Sequence, residues 1–235
     1  MANTNNIQWK RLSAEGAAIV VSILLAFSIE AWWSAHQSSQ EEQELLSQLR
    51  LEFETNSALL EDRRSRHLQM LAALRNLLAA TGPGVENESI NATEIKRDLY
   101  VTLGWWTYDP QRGVLDSIIQ SGKFSIIKSG NLRTSLASWP SLFRDLAEDE
   151  AFIVNYTREF VFPLYQQETV LRDLGPLSDT GSSQFSWDVS AILASRQFEN
   201  VVQQKFVLTQ EVLGYYDSLK THIDETLTLI DESIQ

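Results

Sequence analysis

The sequence predicts an all-α protein in which a single N-terminal transmembrane helix precedes an extramembrane antiparallel helical bundle. Three observations lead there. A 22-residue apolar stretch occupies 12–33. Apolar residues recur at threes, fours and sevens through later segments, the period of a helix with one buried face. No run of useful length alternates apolar and polar residues as a half-buried strand would.

The apolar stretch reads LSAEGAAIVVSILLAFSIEAWW from Leu12 to Trp33. As a helix it rises about 33 Å, close to the hydrocarbon thickness of a bilayer. Its uncharged part, Gly16 to Ile29, covers 14 residues, so a signal-peptide core and a buried soluble helix are the rival readings. The flanks favour a retained anchor. Ala31 leads into Trp32 and Trp33, which suit the aromatic belt of a membrane interface better than a peptidase cleft. The polar run SAHQSSQEEQE that follows contains no helix breaker, so the helix is expected to continue out of the membrane.

Lys10 and Arg11 precede the span, and no basic residue follows until Arg50. The positive-inside rule therefore places residues 1–11 in the cytoplasm and 34–235 outside, in the periplasm of a diderm bacterium. Lys10, Arg11, Trp32 and Trp33 are the expected interface residues. Within the span, Glu15 and Glu30 fall about 60° apart around the helix axis, and Ser22 and Ala26 offer small surfaces for close helix approach. Either each glutamate reaches water at its own membrane edge, or these four residues mark a face that meets a partner helix offering Arg, Lys or a hydroxyl.

Beyond the span the elements follow in order. A long helix is expected over 34–80, with Leu46, Leu49, Phe53, Leu60, Leu68, Leu71, Leu74 and Leu78 on its apolar face. Asn56, Arg63 and His67 interrupt that seam, which favours one member of a bundle over a dedicated coiled coil. ThrGlyProGly at 81–84 ends the helix and opens a loop-rich centre over 81–130. There a second helix begins near Asn91 or Thr93 and stops at Gly104. Asp109 and Pro110 are the expected cap and first-turn residue of a short helix that Gly122 terminates. Asn131 is the expected cap of a long helix over 131–173, with Pro140 and Pro163 each threatening a kink or break. The turn-rich run 175–186 is the clearest loop. A short helix over 187–195 and a long final one over 197–234 complete the chain.

Charge and composition exclude several functions. The formal charge is −12, and residues 34–235 hold 17 basic against 29 acidic side chains, a surface that repels nucleic acid and anionic lipid heads. Cysteine is absent, which removes disulfides, thiolate metal sites and thiol nucleophiles. His36, His67 and His222 are far apart and in no ligand spacing, and there is no phosphate-binding loop, dinucleotide fingerprint or nucleophile elbow. No metal, cofactor or catalytic residue is expected. Glu148, Asp149 and Glu150 read as a solvated helix face, and the sequons at Asn87 and Asn91 matter only in a glycosylating host.

One dense constellation remains: Trp105, Trp106, Tyr108 and Arg112, with Asp109 among them. Adjacent indoles in a short loop either form an apolar platform for a partner, a lipid or a small ligand, with Arg112 available for an anion, or plug the end of the helical bundle.

The patterns WKRLSAEGAAIVVSILLAFSIEAWW and YDPQRGVLDSIIQSGKFSIIKSGNLRTSLASW resemble a widespread group of bacterial inner-membrane proteins. In that group one short anchor precedes a helical domain of unknown function. Ser121, Gly122, Phe124, Ile126, Ile127, Asn131, Leu132 and Arg133 match its central turn-to-helix pattern, and Pro140 departs from it. The resemblance implies topology and inner-membrane location, and no mechanism.

The expected function is non-enzymatic: a membrane-anchored accessory or scaffold subunit whose partners are the lipid bilayer and either other integral membrane proteins or further copies of itself. The alternative is a periplasmic ligand-binding or sensor module built on loop 105–112, and an enzyme without familiar motifs is a third.

Overall fold

A computed structural model describes residues 9–84, 90–174 and 181–234, with side chains from residue 12 onward. The Lys10 and Arg11 side chains, expected at the interface, are not described, and the sequon at Asn87 and part of the loop 175–186 lie outside the described residues.

The described chain is all-helical, with no strand. Helix α1 runs unbroken from Trp9 to Ala80, a rise of about 108 Å. It is followed by α2 (Ala92–Thr102), α3 (Gly113–Ser121), α4 (Gly130–Tyr156), α5 (Phe162–Glu168), α6 (Val189–Leu193) and α7 (Arg196–Ile234). The N-terminal part of α1 is long and apolar enough to cross a membrane by length and composition, and none of that stretch is buried. Burial begins at Glu42.

From there α7 packs antiparallel along α1. Arg50 of α1 meets Asp231, near the end of α7, at 3.0 Å, and Arg64 meets Asp217 at 2.7 Å. Helix α4 lies against the same stretch of α7, and α2 against the distal part of α1. On α1, positions 42, 46, 49, 53, 56, 60, 63, 67, 70, 74 and 77, all buried except the half-buried 63, alternate in threes and fours and keep one seam facing its neighbours, with Glu52 and Ala73 also buried beside it. Two apolar clusters result. One joins Leu46, Phe53, Trp139, Leu219 and Ile230; the other, farther from the N-terminal stretch, joins Met70, Leu74, Leu99, Tyr165 and Phe198.

Several expected boundaries shift for local reasons. Asn91 caps α2 through its side-chain oxygen, which accepts from the Thr93 and Glu94 N–H groups. Gly122 ends α3 in the left-handed conformation at φ 70°, where a Cβ would be strained. Asp109 and Pro110, by contrast, do not open α3. The helix starts at Gly113, and Glu52 of α1 supplies the cap, accepting from Val114 N–H at 2.7 Å and Leu115 N–H at 3.1 Å. Ser129, not Asn131, caps α4.

Pro140 sits inside α4 without ending it. The continuous helix expected over 131–173 divides instead at a π-turn, Thr157–Val161, in which the Phe162 N–H donates to Thr157 O. Pro163 has no N–H to return to the turn before it, so the wider turn forms where the ordinary ladder would be broken in any case. α5 then ends at Glu168.

Candidate functional site

Between the two apolar clusters the seams of α1, α4 and α7 turn polar, and these side chains converge on the aromatic loop 103–112. The loop has no secondary structure of its own, so each buried backbone group in it needs a partner from elsewhere.

α1 supplies four. Asn56 bonds both polar groups of Gln111, its amide donating to the carbonyl at 2.7 Å and its oxygen accepting from the N–H at 2.7 Å. Arg63 Nε donates to Thr107 O at 2.9 Å, and His67 Nε2 to Trp106 O at 3.0 Å. Because a carbonyl only accepts, that bond selects the His67 tautomer with the proton on Nε2. Its Nδ1 is buried with no hydrogen-bond partner. Burial, reinforced by the nearby charge of Lys205, lowers the His67 pKa, so the ring stays neutral.

Lys205 comes from α7 and is 1% exposed. Its ammonium donates to the Thr102 carbonyl, to Gly104 O at 3.3 Å and to Thr157 Oγ1 at 2.9 Å. Glu150 of α4 is 3% exposed. Both its oxygens accept from the Tyr108 N–H, at 3.0 and 3.1 Å, and one accepts the Tyr216 hydroxyl. Burial is the leading cause of both titration shifts, pushing Glu150 up to about 7 and Lys205 down to about 7. It also drives the Tyr108 and Tyr216 phenols above their ordinary value, with the Glu150 charge adding to the effect.

Glu150 therefore does not lie on a solvated face, as the acidic run suggested; only Glu148 of that run is exposed, and Asp149 is half-buried. The spacing explains the difference. Leu132, Leu136, Trp139, Leu146, Glu150 and Ile153 form the inward row of α4, and Glu150 falls in register with it. Lys205 is in register in the same way with Phe198, Val202, Thr209 and Val212 on α7.

The loop's own side chains go to three different surroundings. Tyr108 is buried at 1% exposure, and its hydroxyl donates to Asn56 O at 3.2 Å. Trp106 is half-buried; its ring lies edge-on to His67 at 6.2 Å and closes over Gly104, where an added Cβ would come within 2.6 Å of the indole. Trp105 points outward, 36% exposed, against Phe162 at 5.8 Å, with Arg158 5.2 Å from its ring. Arg112 does not join the indoles. It pairs with Asp116 at 3.1 Å and lies over Phe143.

In the N-terminal stretch, Ser22 Oγ donates to Ala18 O at 2.8 Å, which satisfies the hydroxyl within its own helix. Ala26 and Glu30 are exposed, and so are Trp32 and Trp33. Trp32 stacks on His36 with ring centroids 5.8 Å apart. Glu15 is exposed on the same helix, about 60 Å along its axis from Asn56, the nearest α1 residue that holds the aromatic loop.

The clamp can fix a loop conformation and hold two indoles at set angles. The groups within it are occupied with backbone rather than facing an open cleft. No protein-family model matches the chain, and neither a curated protein nor a solved structure matches it.

Proposed function

We propose that this chain is a non-enzymatic, single-pass membrane protein of the bacterial inner membrane, with its N-terminus in the cytoplasm and an antiparallel helical bundle in the periplasm. It acts as an accessory or scaffold subunit of a membrane complex, or as a homo-oligomer. The observation that carries this reading is the uninterrupted exposure of the apolar 12–33 stretch on a helix that continues into a well-packed domain. Covering the 16 apolar side chains of this stretch is favourable by about 25 cal/mol per Å² removed from water, so such a surface calls for lipid or a partner helix. Glu15, Ser22, Ala26 and Glu30 supply the face for a partner, since carboxylates on a spanning helix favour contact with protein or water over lipid.

Gentle detergent extraction, native sizing and mass spectrometry of the co-migrating proteins test the assignment. A defined complex, or a defined self-assembly, that Glu30→Leu weakens is the expected result. A chain that leaves the membrane in carbonate, or that is extracted as a monomer with no companion, overturns it.

A further inference from the structure

A cleft of about 400 Å³ opens beside the aromatic loop, lined by Gln69, Tyr100, Val101, Leu103, Trp106 and Phe162, with Gly104 at its base. Its lining is unusual for this chain. Four other surface hollows each carry charged side chains: Glu44 and Lys123 in one, Glu61 and Arg64 in the next, Arg133 in a third, Glu94 and Asp98 in the last. The cleft beside Trp106 carries none, in a protein with 50 charged residues in 235. Three of its lining residues, Tyr100, Trp106 and Phe162, carry aromatic rings and Gln69 is an uncharged polar one; Arg66, which does not line the cleft, lies 5.9 Å from the Trp106 ring centroid.

The cleft is also held in shape from behind. Lys205 fixes the carbonyls of Thr102 and Gly104, and His67 fixes that of Trp106, so the backbone beneath the cleft is tied before anything binds. Preorganisation of this kind lowers the ordering cost of association. We infer that the cleft lined by Tyr100, Trp106 and Phe162 is a binding site for a small uncharged ring compound, held against these aromatic side chains. Volume sets the size: a cavity of about 150 Å³ accommodates one benzene ring, so this one takes roughly two fused rings with a small substituent. The uncharged lining sets the polarity, because an ionised ligand would give up part of its hydration with no charged side chain lining the cleft to replace it; the nearest guanidinium, that of Arg66, is taken up over the Trp106 ring. Lipid is not the occupant. Gln69 stands 36 residues beyond Trp33 on one helix, about 54 Å along its axis. The inference does not depend on the assembly reading, and its test is indifferent to whether a complex forms.

The test uses the full chain, labelled with 5-fluorotryptophan, in phosphatidylcholine nanodiscs, with the Trp106 fluorine signal assigned by its loss in Trp106→Phe. Indole is the probe, with tryptamine and indole-3-acetate as its charged counterparts. A saturable shift of the Trp106 signal with indole is expected, at least tenfold weaker with either charged compound. Phe162→Ala, which removes one wall, weakens indole at least tenfold; Val101→Glu, which places a charge on the lining, does the same without removing a wall. Thermal melts identify any variant that fails to fold, and the other then decides. A shift that rises linearly without saturating, equal binding of the charged compounds, or unchanged affinity in a folded variant overturns the inference.

Discussion

Lys205 and Glu150, the two charged side chains buried on either flank of the aromatic loop, do not pair with one another. Lys205 donates to the Thr102 and Gly104 carbonyls and to Thr157; Glu150 accepts from Tyr108 and Tyr216. Each is satisfied by neutral partners and neither is neutralised by an opposite charge in contact. This arrangement meets every hydrogen-bonding requirement of the groups while leaving the cost of burying their charges in place.

That cost makes stability depend on pH in opposite senses. Burial raises Glu150 from 4.5 to about 7, so the folded state holds its proton where the unfolded state has lost it, and stability falls as pH rises across that interval. Lys205 is lowered from 10.5 to about 7. Here the unfolded state holds the extra proton, and stability rises as pH climbs above 7. His67, lowered by burial, contributes stability above pH 6.5 that is lost on acidification, partly offsetting Glu150. Denaturant midpoints measured from pH 5 to 9.5 separate the three. Glu150→Gln is expected to remove the decline toward neutrality and Lys205→Met the rise above it, each changing the pH-dependent part by on the order of 1–3 kcal/mol. Superimposable pH profiles for parent and variants would contradict these assignments.

Asn56 fills two backbone valences of Gln111 at once. Asn56→Ala leaves both to be resatisfied and is expected to cost about 2–3 kcal/mol in urea unfolding. Asn56→Asp keeps the acceptor but turns a carboxylate oxygen toward the Gln111 carbonyl, and should be at least as damaging. An effect below about 0.5 kcal/mol for both would mean that the loop rearranges freely.

Helix α3 is capped from α1, not by its own leading residues. Glu52→Ala is therefore expected to destabilise by about 1–2 kcal/mol, whereas Asp109→Ala, which removes only an exposed bond from Thr107 at 3.0 Å, stays within about 0.5 kcal/mol. The reverse order in thermal or urea unfolding would refute the long-range cap.

At Gly104 the constraint is space. An alanine methyl would meet the Trp106 ring well inside van der Waals contact, so Gly104→Ala should displace the indole at a cost of about 1–3 kcal/mol. The fluorine signal of Trp106 should move while that of Trp139, buried against Phe53 in the other cluster, stays in place.

Much of the fold was legible in the chain because helices announce themselves locally. The 3.6-residue period marked α1, α2, α4 and α7, ThrGlyProGly marked the end of α1, and Gly122 marked the end of α3. The interruptions at Asn56, Arg63 and His67 are visible in the sequence as well, where they look like breaks in a seam. They continue it: each stands at its three-or-four spacing, and each is polar because it serves backbone groups of the 103–112 loop. A seam position records that a side chain points inward and not what awaits it there.

What the sequence determined by itself is therefore the helical class, the apolar N-terminal stretch and the inward register of α1 as far as Leu60, all properties of residues within a few turns of one another; beyond Leu60 the expected Leu68, Leu71 and Leu78 give way to His67, Met70 and Leu77 on the buried face. The tertiary structure alone decided that Glu150 leaves the acidic run for the interior, that Lys205 lies beneath Gly104, and that Glu52 caps a helix 62 residues away. Those depend on which backbone groups an irregular loop leaves unpaired, and that is settled only when distant helices pack around it.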